Sequence, residues 1–233
     1  MKRSGIALLI VFIVCIPLTL FFGSKIPGRN HYITGLLIMA ELLVPFVMAF
    51  GRKPQAREIV VVLILCVLAI LARVVIPIPH FKPAFAIILL AGMGFGPETG
   101  FMVGAACAYF GNFLAGQGPY TPWQMLAYGA GGMLAGFIYR NRLLPRKPAV
   151  MAVFGFAACV VWIGPLLDLS TILLTVGNIT WASALSVFRS GLPVNAMQGL
   201  CTAIVMILLG KPVLQKLDRV KLRFGMLEDG YGV

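Results

Sequence analysis

Three consecutive stretches decide how this chain folds. The run Gly100-Phe101-Met102-Val103-Gly104-Ala105-Ala106-Cys107-Ala108-Tyr109-Phe110-Gly111-Asn112 is followed by the island Gly116-Gln117-Gly118-Pro119-Tyr120-Thr121-Pro122-Trp123-Gln124 and then by Met125-Leu126-Ala127-Tyr128-Gly129-Ala130-Gly131-Gly132-Met133-Leu134-Ala135-Gly136. Both flanks are apolar and thick with Gly and Ala. Gly100, Gly104 and Ala108 recur at i, i+4, as do Gly132 and Gly136, and such stripes let helices approach closely. The island is polar and rich in Gly and Pro, which punctuate helices. The pattern reads as two tightly packed helices that hold a loop at a membrane surface.

The composition extends that reading outward. The chain is 60% hydrophobic and 11% charged over 233 residues, whereas a soluble domain carries about 25% charged residues. An all-α integral membrane protein follows. Eight apolar runs, at 6–22, 32–50, 58–77, 83–95, 99–115, 122–139, 148–167 and 192–210, are bounded by Pro, Gly and charge. The first follows Met1-Lys2-Arg3-Ser4 like a signal peptide, but it is long for one and no Ala-x-Ala site follows, so it reads as a retained span. The fourth is short, and Gly94-Phe95-Gly96-Pro97-Glu98-Thr99-Gly100 turns the chain into the fifth.

Charge fixes the orientation. With the N-terminus inside, fourteen Lys and Arg fall on inner segments, and only Lys25, Arg29, Lys82 and Arg189 fall on outer ones. The formal net charge of +12 is then explained by retention on the cytoplasmic side, spread over several segments, and calls for no nucleic acid. Both termini are expected in the cytoplasm. The outer loops are 23–31, 78–82, 116–121 and 168–191. The last is long and partly apolar, with Ile172-Leu173-Leu174 and Trp181; it reads either as a lid or as an interfacial helix that merely packs.

Catalytic motifs are missing. There is no phosphate-binding loop, no Gly-x-Ser-x-Gly elbow and no His-Glu-x-x-His, so neither ATP hydrolysis nor another enzyme activity is expected. His31 and His80 lie in different outer loops and read as solvated or interfacial. Cys15, Cys66, Cys107, Cys159 and Cys201 lie inside apolar runs as small packing residues. No cofactor or metal is expected.

Polar residues at the outer ends of the spans are the candidates for function, because burying them costs free energy unless something satisfies them. They are Arg73, Asn112, Gln117, Tyr120, Trp123, Gln124, Tyr128, Asp168, Asn195 and Gln198. Asn195 and Gln198, three apart, share a helix face. Together these residues would ring a pocket for a neutral or mixed-polarity organic ligand. Each also has a plainer reading. Tyr120 and Trp123 suit interfacial anchors. Thr121, Pro122 and Gln124 suit an N-cap, first turn and capping box. Arg73 would snorkel to the surface or pair with Glu41.

Spans three to eight resemble the six-helix S component, the substrate-binding subunit, of energy-coupling factor (ECF) vitamin transporters. The resemblance rests on Phe95-Gly96-Pro97-x-x-Gly100, on the Gly/Ala-rich span from Gly104 to Asn112, and on Trp123-Gln124-Met125 opening the next helix. It implies a six-helix bundle over 58–215; the extra helix pair in 1–57 departs from that basic fold, and a basic cytoplasmic tail follows over 216–233. It also implies a bacterial cytoplasmic-membrane protein among membrane lipids, with a membrane scaffold subunit and two ATPase subunits as partners. A vitamin would be captured outside, under loops Ile76–Pro83, Gly116–Pro122 and Asp168–Gly191, and released inside as the bundle topples. The family docks its scaffold through Ala-x-x-x-Ala on the first helix; here Cys66, Ala69 and Ala72 stand in that region, with Arg73 four after Ala69. The run Gly-Pro-Tyr-Thr-Pro-Trp-Gln-Met looks most like the cobalamin-type subgroup. Another vitamin, a queuosine precursor, a lipid-like ligand and a self-sufficient secondary transporter are the alternatives.

Overall fold

The computed structural model describes residues 56–76, 78–118, 120–176 and 180–224, and nearer the N-terminus 10–15, 18, 19 and 37. Most of the first two apolar runs, and with them Glu41, lies outside the described residues. From residue 56 onward there are six helices. The first four are α1 (Ala56–Val74), α2 (Ala84–Phe95), α3 (Pro97–Ala115) and α4 (Thr121–Arg140). Next comes α5 (Pro148–Thr175), whose middle, Ala158–Ile163, is π-helical. The last, α6, begins as Trp181–Val205, passes through a π-helical stretch Met206–Gly210 and continues as Lys211–Phe224.

The bundle is built around α2. Its sequence, Ala-Phe-Ala-Ile-Ile-Leu-Leu-Ala-Gly-Met-Gly-Phe, is apolar on every side, and a helix apolar all round is a buried one. Eleven of its twelve residues are buried, Ile87 being half-buried. At about 1.5 Å per residue it is too short to cross a hydrocarbon core of about 30 Å. It is an internal strut that touches the other five helices. Its C-terminus is set by Gly96, at φ 101°, a left-handed conformation that favours glycine. Pro97 then starts α3 with no N–H to satisfy. The expected reversal at 94–100 is present.

The glycine stripes are helix contacts, as their spacing suggests. A Cβ on Gly132 would run into the backbone carbonyl of Gly100, one on Gly100 into that of Gly132, and one on Gly92 into Gly132 as well. At this point α2, α3 and α4 meet backbone to backbone. Gly104 likewise faces the Tyr128 carbonyl, and Gly136 faces Pro97. No side chain could be inserted without prising the helices apart.

Outside this core, large apolar side chains face away from the protein. Leu63, Ile64 and Val67 on α1, Phe113 and Leu114 on α3, Val153 and Val161 on α5, and Ile207 and Leu208 on α6 are all exposed. Pro148–Thr175 and Trp181–Arg223 are each long and apolar enough to cross a membrane. An all-helical membrane bundle accounts for both observations.

Three expectations need correction. The supposed loop 168–191 is mostly helix: α5 runs on to Thr175 and α6 starts at Trp181. A reciprocal capping box between Thr180 and Ser183 starts α6, and Pro193 is carried inside the helix. Gly191, read as a loop glycine, instead packs against the Asp168 carboxylate. The docking residues are the second correction. Ala69 is fully buried and Cys66 nearly so, in the core shared with α2 and α3, while Ala72 is half-buried. Their small size serves packing within the bundle, and the outward face of α1 is Leu63, Ile64, Val67 and Leu71 instead. Third, the segment from 216 continues α6 as an amphipathic helix up to Phe224. Leu214 and Leu217 are buried against Gly94, and Arg146 bridges to Asp218 at 2.8 Å.

Candidate functional site

Arg73 is the hub of the polar network. It lies in the last turn of α1 and turns inward rather than snorkelling. Its Nη1 donates to the carbonyls of Cys107 (3.2 Å) and Ala108 (3.1 Å) on α3. Its Nη2 donates to Asn112 Oδ1 (2.7 Å) and to Gln124 Oε1 (3.0 Å). Gly111 makes the approach fit, since a Cβ there would stand 3.0 Å from Arg73 Nη1. The guanidinium carbon also lies 5.2 Å from the centroid of the Tyr128 ring, within cation–π range.

The network continues behind Arg73 and locks the loop between α3 and α4. Asn112 Nδ2 donates to Thr121 Oγ1 (2.9 Å) and Gln124 Oε1 (3.0 Å). The Thr121 hydroxyl donates to Gln117 Oε1 (2.8 Å), and Gln117 Nε2 donates to the Tyr109 carbonyl (3.0 Å). The Tyr120 hydroxyl donates back to the Gly116 carbonyl (2.8 Å). The capping-box reading of Thr121 and Gln124 is therefore corrected. The N-cap of α4 is Tyr120, with no side-chain cap bond, because both side chains are committed to the Asn112–Arg73 network.

In front of Arg73 lies a cavity of about 410 Å³. Its wall combines the end of α1 (Arg73, Val74), the 76–83 connection (His80, Lys82), the start of α2 (Ala84, Phe85), the end of α3 (Leu114, Ala115), Tyr128 of α4 and Gln198 of α6. Phe85 and Tyr128 meet edge to face at 4.7 Å between centroids, so the aromatic part of the wall is rigid. His80, which lines the cavity, has φ 58°, in the left-handed region. Lys82 Nζ donates to the Ile76 carbonyl across the same connection.

The ten candidates thus separate. Arg73, Tyr128 and Gln198 line the cavity. Asn112 and Gln124 hold Arg73 from behind, and Gln117 and Tyr120 hold the loop. Trp123 is 2% exposed and packs with Phe101, Ala105 and Leu126, away from the cavity. Asp168 and Asn195 bond each other at 2.9 Å (Asn195 Nδ2 to Asp168 Oδ2) and tie α5 to α6. The shared face expected for Asn195 and Gln198 is divided, with one turned to α5 and the other to the cavity. Sequence reasoning set His80 aside and counted Lys82 only as an outer charge. The available signal was that Lys82 is one of the few cations that the charge count assigns to outer segments. Phe85 was hidden within a uniformly apolar run.

The arrangement can bind a compact organic ligand. It offers aromatic and aliphatic walls, a fixed guanidinium, an amide, an imidazole and an amine. No group of three or more His, Cys, Asp or Glu poised for a metal occurs among the described residues. Against known proteins, residues 54–215 match the family model described as "ECF-type riboflavin transporter, S component". No curated protein and no solved structure gives a match.

Proposed function

Because this chain belongs to the family of ECF-type riboflavin transporter S components, we propose that it captures a flavin or a flavin-sized aromatic heterocycle in the cavity in front of Arg73. The coarser statement needs no proposal: the chain is a membrane protein and a substrate-binding subunit of an ECF transporter, and that family works with a scaffold subunit and ATPase subunits. The observation that carries the finer reading is the cavity itself. About 410 Å³ of space is lined by the aromatic rings of Phe85 and Tyr128 together with the donors of Arg73 and Gln198. Ligand sites of about 300–1,000 Å³ take drug-sized molecules, and a three-ring flavin belongs to that class. A corrinoid is several times larger, and the family description names riboflavin, so the cobalamin expectation is not carried forward.

In this reading the isoalloxazine lies against the aromatic wall and its polar edge meets Arg73 and Gln198. The Asn112–Gln124–Thr121 network preorganises the guanidinium, which lowers the ordering cost of binding. We place the cavity on the outer side of the cytoplasmic membrane, with the C-terminus inside, on the strength of the Lys and Arg asymmetry. The ligand is then delivered inward when the subunit reorients against its scaffold.

The test is titration of the purified chain in detergent with riboflavin, read by quenching of flavin fluorescence. Saturable one-to-one binding is expected. Tyr128→Ala and Gln198→Ala each weaken it by about tenfold, as loss of one well-placed contact does. Correctly folded protein that binds no flavin at micromolar concentration would overturn the assignment.

A further inference from the structure

The cavity is basic, and no acidic side chain lines it among the described residues. Three of its wall residues, Arg73, His80 and Lys82, carry cationic or cation-forming side chains, and none is acidic. The carboxylates of the described residues whose surroundings are defined are all engaged elsewhere. Glu98 pairs with Arg140 at 3.5 Å, Asp218 pairs with Arg146 and Lys221, and Asp168 accepts from Asn195. Among the described residues Arg73 donates to neutral acceptors: two backbone carbonyls and two side-chain amides. Among the described residues Lys82 donates to the carbonyl of Ile76 in its own connection.

Retention of Lys82 runs against the charge trend of the chain. Cations concentrate on the inner segments, and a cation in an outer connection works against that bias. Lys82 is half-buried, so its charge is screened less than that of a fully exposed cation. Lys82 and His80 sit on the connection that borders the opening, whereas Arg73 is fixed at the base of the network. Phe85 and Tyr128 line the same cavity. A neutral ligand would leave this cationic set without a counter-charge.

Building on the flavin reading above, we propose that the preferred ligand carries an anionic group, a phosphate or carboxylate, on its flat aromatic body, and that Lys82 and His80 receive that group. Charge-assisted hydrogen bonds are about twice as strong as neutral ones. The anionic group is therefore a source of selectivity between ligands that share one ring system.

The experiment compares three ligands of the same ring system on the full-length purified chain: riboflavin, riboflavin 5′-phosphate and carboxymethylflavin. At low ionic strength an anionic flavin is expected to bind about tenfold or more tightly than riboflavin, with the ratio shrinking as salt is raised. Gain by both anionic flavins assigns recognition to negative charge in general; gain by the phosphate alone assigns it to a phosphate. Lys82→Gln collapses the ratio and Lys82→Arg retains it, which separates loss of charge from loss of fold. Riboflavin binding as tightly as both anionic flavins, with no salt dependence, overturns this inference while leaving the flavin site standing. Absence of binding by all three removes the flavin reading and this inference together.

Discussion

Replacing Arg73 by Met keeps an unbranched stem and deletes the donors that organise the site. The consequence can be worked from the distances. Arg73 Nη2 lies 2.7 Å from Asn112 Oδ1, and Asn112 is 1% exposed. Without the guanidinium that oxygen has no donor among the described residues. Gln124 Oε1 still accepts from Asn112 Nδ2 at 3.0 Å, and the Cys107 and Ala108 carbonyls keep their places in the helix ladder. One orphaned buried acceptor costs about 1–3 kcal/mol. Loss of the contact over Tyr128 adds about 0.5–1 kcal/mol. A destabilisation of about 1.5–4 kcal/mol is expected from these two contributions. Asn112→Leu breaks the same bond from the other side. The double variant should then be less damaged than the sum of the two, with a coupling of about 1–2 kcal/mol, because the orphaning cost is not incurred twice. Mixed-detergent unfolding followed by circular dichroism gives all four free energies. If Arg73→Met stays within about 0.5 kcal/mol of the parent and the coupling vanishes, the guanidinium is not held by Asn112 and Gln124. The preorganised site then fails as an explanation.

Other predictions follow from single contacts. Gly132→Ala places a methyl on the Gly100 carbonyl, which cannot rotate away. Overpacking of about 1–3 kcal/mol or more should reduce the folded, monodisperse fraction in size-exclusion chromatography, and an unchanged profile would contradict the close approach of α3 and α4. The Trp123 indole N–H is buried without a hydrogen-bond partner among the described residues. Trp123→Phe should thus lie within about 1 kcal/mol of the parent in the same unfolding assay, whereas Trp123→Ala costs about 3–5 kcal/mol. Asp168→Ala leaves Asn195 Nδ2 without its acceptor, destabilising by about 1–3 kcal/mol with little change in flavin affinity. A tenfold loss of affinity in that variant would return Asp168 to the binding site.

Much of the architecture was written locally. Continuous apolar runs require a membrane or a deep core. The Gly-x-x-x-Gly spacing requires close helices, and Gly96-Pro97 requires a reversal between α2 and α3. Each depends on residues near one another in the chain, so each was legible in order. The likeness to S components rested on the same local features and agrees with the family match over residues 54–215. The polar cluster was legible as a cluster, because buried Arg, Asn and Gln side chains in an apolar chain demand partners.

What those residues do was decided by packing between distant segments. Thr121 and Gln124 look like a capping box in one dimension. Arg73, 51 residues before Gln124, arrives in space and takes the amide oxygen for itself, since a charged donor binds it more strongly than a backbone N–H does. Trp123 is one residue from Gln124 yet faces the other way, because successive helical residues project about 100° apart. Gly191 and Asp168 look like parts of one polar loop until α5 and α6 are laid side by side, where glycine leaves room for the carboxylate. His80 and Lys82 carry no periodic signal at all. They stand out only because they line a cavity together with residues of α1, α2, α3, α4 and α6, and a cavity is a property of several helices that no single stretch of sequence contains.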